Sequence, residues 1–360
     1  MSIILTLLVF TMIVIVHEWG HFIMARRQGI FVEEFAVGMG PVLWKRTTKK
    51  NLLVSVRSLP IGGFCRMKGE EAEEGEAIEP DSFTAKSPGA RALVAAAGPV
   101  MNFILAFILL LIFNLGYGFV DLTIAAVDEG YPAAQAGMQA GDRLVAMNGE
   151  NVHVYSKINF LLMDYQEGDE VEVVVEKPDG SRQTLRFALH MDEELGRYRM
   201  GFTASQSGNI AQMAGEDGFF SAFWHMISQS FWDLCYEIEI TIRSLAMLVT
   251  GKVGLDALAG PIGMVSVVGE TYEAASAYGF MTVLSSLSSL TVLLSANLGV
   301  LNLFPVPGLD GSRLIFLALE KIRRKPLNPK LENAIYLVGF VLLFGLMIAV
   351  AFNDVLRLFQ

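Results

Sequence analysis

Residues 17–21 of this 360-residue chain read His-Glu-Trp-Gly-His, inside a run over residues 2–25 that is otherwise apolar. Residues four apart on a helix lie about 40° apart around its axis, so His17 and His21 point one way and can share a metal ion. Glu18 follows the first of them, close enough to act on a water bound to that metal. H-E-x-x-H arises by chance in roughly one chain in a hundred of this length, so its setting matters more than its spelling. Ionisable side chains cost roughly 2.5 kcal/mol or more each in a lipid-spanning helix. Three of them in one span need partners, and a metal supplies one for both imidazoles. Two histidines satisfied by neighbouring helices are the plainer alternative.

A hydrolytic zinc wants a third protein ligand and an open position for water. The stretch NLGVLNLFPVPGLDGSR offers Asp310 just beyond Pro305, Pro307 and Gly308. Those residues break a helix, and irregular backbone at membrane depth is tolerated only where protein or a watery cavity surrounds it. Asp310 is expected near the cytoplasmic end of its span. His17 lies about 21 Å from Ile3 at 1.5 Å per residue, so both sites fall at similar depth. Asp310 as a mere cap of the following helix, SRLIFLALEKI, is the competing reading.

The elements that must position these groups are membrane spans. The chain is 53% hydrophobic with a mean hydropathy of +0.46, too apolar for an ordinary soluble protein. Four segments are long enough to cross a bilayer, roughly 2–25, 93–117, 283–304 and 335–352. The first lacks a basic leader and a small-residue cleavage site, which predicts a retained span. Eleven lysines and arginines lie between Arg26 and Arg91, and five (Lys321, Arg323, Arg324, Lys325, Lys330) link the last two spans. The positive-inside rule makes both links cytoplasmic. Residues from about 118 to 280, and both termini, are then extracytoplasmic, with the active site toward the cytoplasm of a multi-pass plasma-membrane protein. The net charge of −10 argues against nucleic acid as a partner, and no nucleotide is expected either. Cys65 and Cys235 fall on opposite sides of the membrane, which disfavours a disulfide, and neither has the spacing of a metal cluster.

Between the second and third spans the periodicity changes. EVEVVVE (170–176) and SRQTLRFAL (181–189) alternate as strands around a PDG turn. YPAAQAGMQAGDRLVAMNGENV reads as a short helix, a glycine turn, a strand and a second turn, and PAAQAGMQAGDRLVAMNG resembles the core of a PDZ domain. Residues 219–250 are apolar but hold Asp233, Glu237, Glu239 and Arg243, so a helix lying on the outer face fits better than a fifth span. The glutamate run at 70–76 reads as a solvated loop. His153, His190 and His225 have no ligand spacing.

HEWGH in the first span, GPVMNF at 98–103, the PDZ-like insert, GPIGM at 260–264 and NLFPVPGLDG at 302–311 stand in the order of the site-2 proteases. The whole chain resembles their regulator-of-sigma-E branch, in the form with a single PDZ-like unit that looks Gram-positive rather than the two-unit Gram-negative form. The resemblance implies an intramembrane zinc metalloprotease acting in regulated intramembrane proteolysis. His17, His21 and Asp310 would be ligands of Zn2+, and Glu18 the general base. Such a zinc lowers the pKa of its water toward 7 and polarises the scissile carbonyl, while Glu18 moves the proton to the leaving amine. Asn302 would hydrogen-bond the substrate backbone. VRSLPIGGFCRMKG (56–69) resembles the family's membrane-associated β-loop, where Gly62 and Gly63 would let a strand add to an unwound substrate. Gly98, Pro99 and Asn102 are assigned to close helix packing, and Cys65 to no role.

The expected fold is therefore a polytopic α-helical membrane protein with about four transmembrane helices, an inserted extracytoplasmic α+β PDZ-like domain and a membrane-associated β-loop. Its parts are residues 1–117 with the first two spans, 118–205 with the PDZ-like domain, 206–282 with the interfacial helix, and 283–360 with the last two spans. Expected partners are the lipid bilayer and single-span substrates such as anti-sigma factors or remnant signal peptides. Competing readings are an inactive membrane scaffold that binds helices through the PDZ-like unit, and a transporter with broken helices.

Overall fold

Helix punctuation and apolar length decide the long elements. The computed structural model describes residues 2–49, 51–70, 79–163, 165–166, 168–192, 197–254, 260–325 and 328–357. Helix α1, Ser2–Arg27, ends with Arg26 and Arg27 in its last turn, and Gly29 (φ +68°) lets the Ile30 N–H turn back onto the Ala25 carbonyl at 2.9 Å. Two long strands follow, β1 (Val32–Thr47) and β2 (Leu53–Met67). Helix α2, Pro88–Tyr117, starts on a proline and contains a second, Pro99. Then come β3 (Val120–Val127), α3 (Pro132–Gln135), β4 (Arg143–Met147), β5 (Glu150–Asn151) and α4 (Tyr155–Leu162). Strands β6 (Glu170–Glu176), β7 (Arg182–Ala188), β8 (His190–Asp192), β9 (Arg197–Arg199) and β10 (Phe202–Gln206) complete this stretch. Helices α5 (Ile210–Asp217), α6 (Phe219–Val249), α7 (Pro261–Ser276), α8 (Phe280–Leu303), α9 (Asp310–Arg323) and α10 (Pro329–Arg357) finish the chain.

Helices α1, α2, α8 and the 334–357 part of α10 are long and apolar enough to cross a membrane. They coincide with the four expected segments. Their outer faces stay apolar, as on α10, where Leu337, Phe340 and Leu342 are each more than 60% exposed. Such faces suit lipid tails rather than water.

The chain divides into two compact units, Met1–Leu109 with Glu237–Gln360, and Leu110–Tyr236. In the first, small residues set the helix spacing. A Cβ on Gly20 would lie 2.2 Å from the Ala97 carbonyl oxygen, and one on Gly299 would lie 2.6 Å from Phe103. Close approach of this kind is what holds helices together where lipid removes the hydrophobic driving force. Around it Val9, Ile13 and Leu294 pack with Leu105, Met264 and Leu298. The GPIGM stretch has a structural account here. Buried Asp354 accepts hydrogen bonds from the Gly260 and Gly263 N–H groups at 3.1 and 2.9 Å, capping α7 from α10.

Strands β1 and β2 build a curled sheet of four rows. Residues 32–37 lie beside 63–67 on one side and 53–56 on the other, and 53–56 also lie beside 44–47. The chain bends between rows at Gly38 and Gly40 (both φ +83°) and at Gly62 (φ +79°). Buried Glu34 ties three rows together, accepting from Ser55 Oγ at 2.6 Å and Arg57 Nη2 at 2.8 Å, with Arg66 3.7 Å away. The expected solvated loop at 70–76 needs correction at its first residue. Glu70 pairs with Arg313 of α9, because both side chains sit away from water and need a counter-charge. The rest of that loop lies outside the described residues.

The second unit holds a sheet in the order β10-β3-β4-β6-β7, with β5 on β4. Alternation explains its core. Val171, Val173 and Val175 of EVEVVVE are fully buried, while Glu172 and Val174 between them lie on the other, more open face. Asn148 (φ +50°) and Gly149 (φ +78°) make the tight turn after β4. Asp142, 1% exposed, caps the loop before β4 through the Gln139 N–H and pairs with Lys177 at 2.8 Å. The first part of α6 joins this unit, with Trp232 stacked on His153 at 3.8 Å and Tyr236 Oη donating to the Ser156 carbonyl at 3.1 Å.

Candidate metal centre

The buried residues of α1 are Thr6, Val9, Ile13, His17, Gly20, His21 and Ala25, a helical stripe with the histidines in its line. The two imidazoles meet edge to face, centroids 4.8 Å apart, with their Nε2 atoms 3.2 Å from each other. Asp310 Oδ2 lies 3.1 Å from His17 Nε2 and 3.4 Å from His21 Nε2. Two imidazole nitrogens and a carboxylate oxygen thus converge on one point, a donor set suited to a metal ion. A zinc with bonds of about 2.0–2.1 Å and tetrahedral angles sets its ligand atoms about 3.3–3.4 Å apart. The three observed separations fit that triangle, and the donor chemistry fits zinc.

A break between helices delivers the carboxylate. Helix α8 stops at Leu303, Phe304 is extended (ψ 148°), and Gly308 takes φ +99°. Helix α9 then starts on Asp310 behind Leu309, with no side-chain cap. The Asp310 carboxylate turns to the histidines instead of capping its own helix. Gly311 must be glycine, since a Cβ there would lie 2.3 Å or less from the Leu303 and Phe304 carbonyl oxygens.

Helix α2 closes the opposite side through residues four apart. The Val94 carbonyl faces His21 Nδ1 at 2.9 Å, fixing that ring with its Nε2 lone pair toward the ligand triangle. A Cβ on Gly98 would come within 2.4 Å of His21 Nε2 and 2.7 Å of His17 Nε2. Fully buried Asn102 places its side-chain amide 3.3 Å from His17 Nδ1. The sequence reading gave Gly98 and Asn102 to helix packing, and they also line the imidazoles. Their signal was present as V-x-x-x-G-x-x-x-N, one helical face matching the His-x-x-x-His face of α1.

Glu18 is half-buried on a different side of α1, next to β2. A Cβ on Gly63 would lie 3.8 Å from Glu18 Cγ and from Val14, the Cys65 backbone amide faces the Glu18 carboxylate, and Thr11 Oγ1 donates to the Pro60 carbonyl at 2.8 Å. The 63–67 row, an edge of its sheet, thus runs along the glutamate side of α1. Gly62 sits at its bend and Gly63 is buried against the Ala36 carbonyl. Asn302 is half-buried in the last turn of α8.

The Peptidase family M50 profile matches residues 5–346. A Clostridium perfringens chain is 32% identical over 360 residues, 99% of each. Zinc metalloprotease RasP of Shouchella clausii is 30% identical over 430 residues, 98% of each, and the RasP of Oceanobacillus iheyensis 28% over 433, again 98% of each. Among solved structures, the PDZ domain of an SdrC-like protein from Listeria monocytogenes is similar to 24% of this chain and covers 88% of its own, with 19% identity and a TM-score of 0.22.

Proposed function

This chain belongs to peptidase family M50 and is an intramembrane zinc metalloprotease, and from that premise we propose its site residues, orientation and substrates. His17, His21 and Asp310 hold the zinc, and Glu18 is the general base. The convergence of those three donors at 3.1–3.4 Å carries the assignment. When bound, zinc supplies Lewis-acid polarisation of the scissile carbonyl and acidifies water.

The chain's own residues do the rest. Glu18 takes a proton from the attacking water and returns it to the leaving amine. A transmembrane substrate is helical and its amides are protected, so it must be unwound before hydrolysis. The 63–67 edge beside Glu18 accepts it as an added strand, with Gly62 and Gly63 leaving room for its backbone and Asn302 hydrogen-bonding it on the other side. Substrates are single-span proteins such as anti-sigma factors or remnant signal peptides, cut in or near their membrane segment.

Orientation follows from charge. The basic links support a site toward the cytoplasm with both termini and residues 118–205 outside, and the charges within the apolar 219–250 run support α6 along the outer interface. In that arrangement the PDZ-like domain acts as a gate against bulky ectodomains. The test is cleavage by purified protein in lipid vesicles of a single-span peptide carrying either a short or a folded outer segment. Zinc-dependent cleavage of the short form alone, extended to both forms when residues 121–203 are deleted, is expected. No cleavage of either form by zinc-loaded protein would sink the substrate assignment.

A further inference from the structure

We propose that Asn102 is a positioning residue of the metal centre, its side-chain carbonyl accepting the Nδ1 proton of His17. The inference rests on the ligand assignment above. A histidine that binds metal through Nε2 carries its remaining proton on Nδ1, and that N–H needs an acceptor when buried. For His21 the acceptor is the Val94 backbone carbonyl at 2.9 Å, a group that cannot turn. For His17 the neighbouring group is Asn102, fully buried, with Nδ2 3.3 Å from His17 Nδ1 and Oδ1 without a hydrogen-bond partner among the described residues.

Nitrogen and oxygen of an amide are nearly the same size, so a half-turn about the terminal torsion exchanges them without moving a neighbour. Nδ2 facing a protonated Nδ1 sets two donors against each other and leaves a buried acceptor orphaned. Oδ1 facing it satisfies both atoms. The backbone that presents Asn102 is itself fixed, since Ser295 Oγ of α8 donates to the Asn102 carbonyl at 2.8 Å. Pro99, three residues earlier, removes one rung of the α2 ladder in the same turn. Asn102 thereby links three helices, α1 through His17, α2 by its own backbone and α8 through Ser295.

Purified full-length protein is titrated with zinc against a competing chelator, and its cobalt(II) form is read by visible absorption. Asn102→Leu, equal in size with no acceptor, is expected to weaken zinc binding about 10–100-fold, the usual cost of losing such a partner. Its cobalt spectrum should change as His17 loses its fixed orientation. Asn102→Asp restores the acceptor and should hold zinc within threefold of the parent or tighter. A leucine variant that binds zinc like the parent, or an aspartate variant as weak as the leucine one, would overturn the proposal. Should Asn102→Leu fail to fold, Asn102→Asp decides alone, with a tenfold loss of affinity counting against. His17→Ala is the control for the underlying assignment. Full zinc binding in that variant removes His17 as a ligand, whereas lost binding there beside intact binding in Asn102→Leu removes only the role of Asn102.

Discussion

Gly98 of α2 and His21 of α1 are in contact at a distance no side chain permits, for a Cβ on Gly98 would lie 2.4 Å from His21 Nε2. That nitrogen is one of the three atoms proposed to hold the zinc. The space a methyl group would take is therefore space the centre uses, and α2 shapes the site without contributing a ligand.

Gly98→Ala should lower zinc affinity at least tenfold and cost about 1–3 kcal/mol in stability, the range for overpacking a filled interior. Gly89→Ala is the comparison, since nothing lies within 4 Å of a Cβ there. Zinc titration and thermal unfolding of the two variants check the expectation. Equal zinc binding in both would mean that the histidines can move aside and that Gly98 serves packing alone.

Asp310→Ala should reduce bound zinc and cleavage together, because the carboxylate is 3.1 and 3.4 Å from the two ligand nitrogens and caps nothing. A loss of activity of at least 10²-fold, with zinc content falling in parallel, is the expected result. Metal analysis of the purified variant beside its peptide-cleavage rate measures both, and full zinc occupancy would exclude Asp310 from the centre.

How much of this was legible beforehand depends on which physical signal each part leaves. The spans and the histidine pair were readable because hydropathy and four-residue spacing are local. The face of α1 was not, since Leu, Ile and Val surround the helix and only Thr6, Gly20 and the histidines mark the protein side. Strand β1 leaves no clean local signal because Gly38, Gly40 and Pro41 interrupt its alternation, whereas the chain bends there and continues the sheet. Asp354 lies 94 residues from Gly260, just past the 335–352 run that reads as a span, so its capping role depends on a contact no local pattern encodes. Asn102 and Gly98 left a readable four-residue spacing, but one that packing explains equally well until the imidazoles are seen against it.

Glu34 predicts a pH dependence for the β1–β2 sheet. Burial pushes its carboxyl up, but hydrogen bonds from Ser55 and Arg57 and the charges of Arg57 and Arg66 outweigh that and hold it below the ordinary carboxylate value of 4.5. A lowered folded value means that its stabilisation is present above pH 4.5 and is lost as pH falls through the lower value. Glu34→Gln should cost about 3 kcal/mol of local stability at neutral pH, the low end for breaking a buried pair. Protection factors of the amides in residues 53–67, corrected for the intrinsic pH dependence of exchange, should fall on acidification in the parent and stay low and flat in the variant. Parallel pH profiles would show that other carboxyl groups govern the sheet.

Glu18 and the histidines share one helix turn but face different partners, the histidines toward α2 and α9, the glutamate toward β2. Their substitutions should therefore fail differently. Glu18→Gln keeps size and hydrogen-bonding capacity but cannot accept a proton from water. Zinc content, fold and substrate binding should survive, while turnover falls at least 10²-fold, the low end for losing a general base. The variant should hold single-span substrates through purification, because the 63–67 edge proposed to receive them is untouched. His21→Ala, by contrast, should lose zinc itself. A Glu18→Gln chain that cleaves at the parent rate would place the base elsewhere, and one that loses zinc would show that the glutamate supports the ligands rather than moving a proton.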